Sequence, residues 1–414
     1  MRTEILTHID DPAYLEKLYR INKSSFKESF TLLYPEIEDK PQSKFWLERL
    51  NYESNSISWG SKNELLFVFI GCFIAGIIAK FPVLFSIPED FFYPRNIGFI
   101  LFPILVAYFS WRNKLSRNFN SLLFGIIGIG LVYINALPDS QESDSIILAC
   151  IHLPLLLWVI VGSAYSGKDK FKIAISLDFL RFNGDALVMI AVLGIAGGIL
   201  TGVTFGLFSL IGVPIEIFFQ NYILVFGLPA IPILATFLTQ NNSQLVNKVS
   251  PVIAKLFSPA VLVMLFVYIM AIIYTGKDPY NDREFLLIFN LLLVGVMALI
   301  FFSVAEKKNA EKITFDIWIL FFLSILTIIV NGIALSAITF RISEWGLTPN
   351  RMAVLGANIL ILINLLLVTF NLFKSLKSKV ELPKVGKAIV SYIPVYFVWA
   401  LIVVFFFPLI FNFQ

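Results

Sequence analysis

Between residues 65 and 411 the sequence is a succession of long apolar blocks separated by short polar connections. A block of about 20 apolar residues crosses the hydrocarbon core of a bilayer as a helix, because a helix pairs its backbone N–H and C=O groups internally. The short alternating strands of a membrane barrel are missing from the pattern. Composition agrees, with 58% of residues hydrophobic, 14% charged and a mean hydropathy of +0.82. A soluble domain carries about 25% charged residues, so this chain has too few to cover a globule with a wetted surface. The expectation is an all-α, polytopic integral membrane protein.

We read eleven spans: 65–81, 97–111, 120–137, 146–165, 186–211, 217–238, 252–274, 285–304, 315–339, 352–373 and 389–411. The second is short enough to be re-entrant, and Pro229 and Pro232 interrupt the sixth. Lys and Arg accumulate in cytoplasmic connections, which tests the count. The loops that lie on the side of the N-terminus hold 17 of them, from Arg112 to Lys387, against five on the other side: Arg95, Lys277, Arg283, Arg341 and Arg351. That bias predicts an N-in, C-out protein. No internal repeat is visible.

Residues 1–62 form a small helical cytoplasmic head, and 63–414 the transmembrane bundle. The head is polar, so no cleavable leader is expected and the first span acts as the signal. Asp11-Pro12 reads as a helix cap followed by proline at the first helical position, and Leu15, Leu18, Tyr19, Phe26 and Phe30 recur at helical spacing. Ser43 is a candidate cap for a second helix carrying Trp46, Leu47 and Leu50. These apolar stripes need a surface, either the cytoplasmic face of the protein, the lipid interface or a partner protein. Nine Lys/Arg against ten Asp/Glu in the head argue against a polybasic lipid-binding tail. No nucleic-acid partner is expected.

Candidate chemistry is sparse. Cys72, Cys150, His8 and His152 are too few and too scattered for a metal site, and no cofactor or metal is expected. No Asp, Glu, Lys or Arg lies deep within a span, so His152 alone keeps a proton-coupled reading alive; Asn331 and Asn364 are neutral interior amides. Gly194, Gly198, Gly202 and Gly206 fall four apart on one helix face, which lets a backbone approach closely. That face is read as packing against another helix of this chain or of a second copy, or as a smooth wall beside a conduit. Glu216 opens the sixth span and Pro229 and Pro232 break it, leaving carbonyls that a substrate, an ion or a neighbouring helix must satisfy. No catalytic carboxylate pair, Ser/Lys set or phosphate-cradling loop is present in the pattern, so an enzyme is disfavoured.

The stretch Arg341-Ile342-Ser343-Glu344-Trp345-Gly346-Leu347-Thr348-Pro349-Asn350-Arg351 joins the ninth and tenth spans. Thr348 fits a cap with Pro349 at the first helical position. Arg351 then faces the positive end of the helix dipole and needs a negative partner. Glu344 is the nearest candidate, an anionic lipid or small solute the alternative, and Trp345 suits the headgroup level. This loop resembles the Tyr/Trp-Gly-Leu/Trp-Thr-x-x-Arg loop of a bacterial multipass membrane family, domain of unknown function 4153. The run from Gly197 to Gly212 is similar to that family's central helices, and the resemblance covers roughly residues 180–375. It implies a bacterial inner-membrane location and transfers no reaction and no catalytic residue. Three functions remain open: a channel or transporter for a small solute, a non-catalytic scaffold of an envelope complex, and a membrane enzyme acting on lipid near Arg341, Glu344 and Arg351.

Overall fold

A computed structural model describes residues 2–21, 23–51, 60–139, 143–167, 177–210, 215–242, 258–267, 269–270, 273–274, 280, 283–306, 315–377 and 382–414. The chain divides into two units, residues 1–58 and 59–414.

The first unit is four helices: α1 (Arg2–Thr7), α2 (Pro12–Ile21), α3 (Lys23–Ile37) and α4 (Pro41–Asn51). Asp11 Oδ1 accepts from the backbone N–H groups of Ala13 and Tyr14 at 3.1 Å, capping α2 as its spacing predicts. The apolar stripes do not wait for a membrane or a partner. They close on one another in a core of their own, with Ile5, Leu15, Phe26, Phe30, Leu33 and Trp46 buried. The Trp46 ring lies 5.1 Å from Phe26 and 5.7 Å from Tyr19. Arg49 closes one side, pairing with Glu16 at 2.8 Å while its guanidinium lies over Tyr19 and Trp46. Ser43 is not a cap. Its helix begins two residues earlier, because Pro41 has no N–H to lose at a first turn, and Ser43 is buried inside it.

In the second unit, nine helices among the described residues are long and apolar enough to cross a membrane. They fall within α5 (Lys62–Ala79), α7 (Glu89–Arg112), α8 (Arg117–Ala136), α9 (Asp144–Ser166), α10 (Leu177–Leu210), the broken segment Glu216–Asn241, α15 (Phe315–Trp345), α16 (Pro349–Lys377) and α17 (Leu382–Phe405). Short α6 (Phe81–Phe85) turns the chain between α5 and α7, and α18 (Phe407–Ile410) ends it. Within the expected spans 252–274 and 285–304 lie two shorter apolar helices, α13 (Ser258–Val267) and the Phe289–Ala305 part of α14 (Arg283–Glu306), and residues 252–257, 268 and 271–272 of the first fall outside the described residues. The second span is no re-entrant stub. It starts eight residues before the expected boundary, because Glu89 and Asp90 favour a helix N-terminus, and it runs 24 residues.

Two buried clusters organise this unit. One gathers α5, α7, α8, α9, the start of α10 and the end of the broken segment, and the other gathers α13 to α16. Helix α17 belongs to both, giving Ile393, Ala400 and Val404 to the first and Val385 and Ile389 to the second. Outward faces stay apolar, as with Phe69 (73% exposed) and Leu291 (70%). Water would penalise that surface; lipid tails solvate it.

Candidate functional site

The arginine loop is built as a helix-to-helix corner. Thr348 Oγ1 accepts from the Arg351 N–H at 3.3 Å and Pro349 opens α16, so the cap stands where the sequence places it. The partner of Arg351 is not Glu344. Its Nη1 donates to the carbonyls of Trp345 and Gly346 at 2.8 and 2.7 Å, while Glu344 is exposed and makes no ion pair among the described residues. The reason is electrostatic. The last carbonyls of α15 are left without intrahelical donors and carry the negative end of its dipole, so they supply the charge that Arg351 needs. Two guanidiniums lie over the Trp345 ring, Arg341 at 5.1 Å and Arg351 at 5.7 Å. A glycine is required next, since Gly346 turns the chain at φ +75°.

The broken sixth span consists of a single turn, α11 (Glu216–Phe218), a π-helical stretch Phe219–Leu224, and α12 (Val225–Asn241), which contains Pro229 and Pro232. Those prolines cannot donate to the carbonyls of Val225 and Leu228. One interhelix contact is made nearby, from the Cys72 thiol to the Ala230 carbonyl at 4.0 Å. Glu216 is exposed, and neither described cavity includes it or the two prolines. Nor does His152 join another helix: its Nδ1 bonds the Leu148 carbonyl one turn back at 2.8 Å.

The glycine face has no neighbour within the described chain, and its readings as a contact with a second copy or a conduit wall stay open. Nothing lies within 4 Å of where a side chain would start at Gly194, Gly198 or Gly202, so no described helix of this chain packs there. The surroundings of Gly206 lie outside the described residues. Close approach occurs instead at Gly76, beneath the Phe226 ring, and at Gly356, beneath Trp399. A four-residue spacing says that a backbone can come close and carries no information on which helix does.

The structure assembles three polar constellations that the sequence did not bring together. The first is a clasp. Glu64, 6% exposed, accepts at Oε1 from Tyr108 Oη (2.6 Å), Arg112 Nη1 (2.5 Å) and Asn241 Nδ2 (3.0 Å). It ties together the ends of α5, α7 and α12, and the pairing of a buried charge with several donors is what makes it tolerable. The second is Arg95, counted as a loop charge but buried in the second turn of α7 at 5% exposure. Its Nη2 donates to the Pro138 carbonyl at 2.7 Å and its guanidinium lies 4.0 Å from the Phe91 ring centre, whereas Nη1 is buried without a partner. It lines a cavity of about 540 Å³ with Asp90, Asp139, Ile147, Cys150 and Ile151 among the walls.

The third is a seam of amides between α15, α16 and α17. Asn331 Nδ2 donates to the Asn358 carbonyl (3.2 Å), and Asn364 Nδ2 to Tyr396 Oη (3.0 Å). Tyr396 in turn reaches the Met297 sulfur at 3.4 Å. All three asparagines are at most 1% exposed, yet Asn331 Oδ1, Asn358 Nδ2 and Asn364 Oδ1 find no partner. Asn331 and Asn364 are legible as interior amides, but Asn358 has no sequence signal beyond its letter. A second cavity, of about 510 Å³, is an apolar cleft lined by Leu123, Ile126, Leu157, Pro394 and Phe397. Compared with protein-family models, curated proteins and solved structures, the chain matches none.

Proposed function

We propose that the transmembrane unit conducts a small, neutral polar solute along the amide seam between α15, α16 and α17. The unpartnered Asn331 Oδ1, Asn358 Nδ2 and Asn364 Oδ1 carry this reading. Each unsatisfied polar atom in hydrocarbon costs on the order of several kcal/mol, so water or solute at these atoms gives the seam a reason to exist. Asn331 and Asn364 lie 14 and 15 residues inside their helix ends at Trp345 and Pro349, about 21–22 Å at the usual rise per residue. That is near the middle of a bilayer about 40–45 Å thick with its headgroups. Amides match neutral hydrogen-bonding solutes better than ions, and among the described residues the seam has no carboxylate with which to couple protons. An inner-membrane location, and kinship with the domain of unknown function 4153 family, belong to the same proposal.

Substituted-cysteine labelling tests it without knowledge of the solute. In a background lacking Cys72 and Cys150, Asn358→Cys and Asn364→Cys should react with a small hydrophilic thiol reagent, while Ile361→Cys, buried in the neighbouring core, should not. If neither asparagine position labels, the seam is dry and conduction through it fails.

A scaffold role is favoured by a different observation. The head builds a core without help, yet leaves Leu32 65% and Phe45 63% exposed. Such side chains are available to a protein partner.

A further inference from the structure

We propose that the Arg95 cavity binds the headgroup of a zwitterionic aminophospholipid, its phosphate on Arg95 and its primary ammonium on Asp139. The argument starts from the guanidinium. A buried arginine that uses Nη2 on a carbonyl and leaves Nη1 without a partner is half of an anion site, and the planar fork suits a phosphate oxygen better than any other common group. The stack on Phe91 fixes the plane of that fork before a ligand arrives. The cavity, about 540 Å³, falls in the usual size range of ligand pockets.

The walls then choose the class of ligand. Asp90 and Asp139 line the same space. The Asp139 carboxylate beside the guanidinium repels a purely anionic headgroup, whereas a ligand carrying both charges is matched at each end. Carboxylates also prefer a primary ammonium, which donates hydrogen bonds, to a quaternary one, which cannot. Further walls are Ile97, Ile147 and Ile151, which are 59%, 43% and 60% exposed. In a membrane that exposure is to lipid tails. The cavity therefore opens sideways, with a charged end for a headgroup and an aliphatic flank between α7 and α9 for an acyl chain. A soluble zwitterion would have no use for that flank. The site lies away from the amide seam and does not depend on it.

The test uses the full-length protein in detergent, with native mass spectrometry to measure binding of phosphatidylethanolamine, phosphatidylcholine and phosphatidylglycerol of matched chains. Phosphatidylethanolamine should bind about tenfold tighter than phosphatidylcholine, as one charge-assisted hydrogen bond warrants. Asp139→Asn, at an exposed position, should bring the two to equality. Arg95→Gln should lose both lipids; if that variant does not fold, the outcome with Asp139→Asn decides. Equal binding of the first two lipids, tighter binding of phosphatidylglycerol, or a preference unchanged in Asp139→Asn would overturn the assignment. So would glycerophosphoethanolamine competing as well as the lipid, which would make the ligand a soluble zwitterion.

Discussion

Arg351 stands in the first turn of α16, against the positive end of that helix, and still makes two good hydrogen bonds, because α15 ends beside it with carbonyls to spare. Charged hydrogen bonds are worth about 1.5–3 kcal/mol when protected from water, and this corner is partly exposed, so Arg351→Gln should cost about 1 kcal/mol of stability. Glu344→Gln should cost nothing measurable, and the double variant should melt with Arg351→Gln alone. A double-mutant coupling between the two positions in thermal melts would restore the ion pair that spacing suggests. Thr348, Pro349, Trp345 and Arg351 were all legible as a corner. The true partner was not, since an orphaned carbonyl has no letter in a sequence. Glu64 and Arg95 were missed for a related reason. Each stands at the edge of an apolar block, where a charge reads as loop, and only the neighbouring helices reveal that Glu64 meets Arg112 and Asn241 or that Arg95 turns inward.

Helices were the legible level, because hydrophobic length is a property of each segment taken alone. Their pairings depend on residues far apart in the chain, and the glycines show the difference. A side chain begun at Gly356 would meet the Trp399 ring at 2.1 Å, although 43 residues separate them. Gly194, Gly198 and Gly202, whose spacing promised contact, meet nothing. Gly356→Val should therefore lower stability in detergent by about 1–3 kcal/mol through overpacking of α16 against α17. Gly198→Leu should leave it within about 0.5 kcal/mol. Thermal unfolding of both variants checks this, and a collapse in folded yield for Gly198→Leu would mean that its face meets a second copy of the chain. The head illustrates the same limit. Its apolar stripes were visible, but that four short helices suffice to bury them follows from Trp46 reaching Phe26 and Tyr19 across the chain.

At the scale of the whole transmembrane unit, contacts sort landmarks by end. The Gln414 carbonyl accepts from the Ser145 N–H at 2.9 Å, and Ala353 shares a small core with Phe407 and Leu148. The C-terminus, the start of α9 and the arginine corner therefore lie together at one end. Glu64, Arg112 and Asn241 lie together at another, one full span of α7 away from Arg95. Geometry of this kind relates the ends to each other and is blind to which of them faces the cytoplasm. The charge bias of the sequence, 17 Lys/Arg against five, predicts that sign, because positively charged loops are retained on the cytoplasmic side. In a background of Cys72→Ala and Cys150→Ala, Ser343→Cys and Gln414→Cys should react with an impermeant thiol reagent added outside intact cells. Lys374→Cys, exposed near the far end of α16, should react only after the membrane is opened. Because Ser343 and Gln414 share an end, they must label together whichever way the protein is inserted. Labelling of Lys374→Cys alone in intact cells would invert the protein while leaving its fold untouched, and labelling that splits Ser343 from Gln414 would break the arrangement of helices itself.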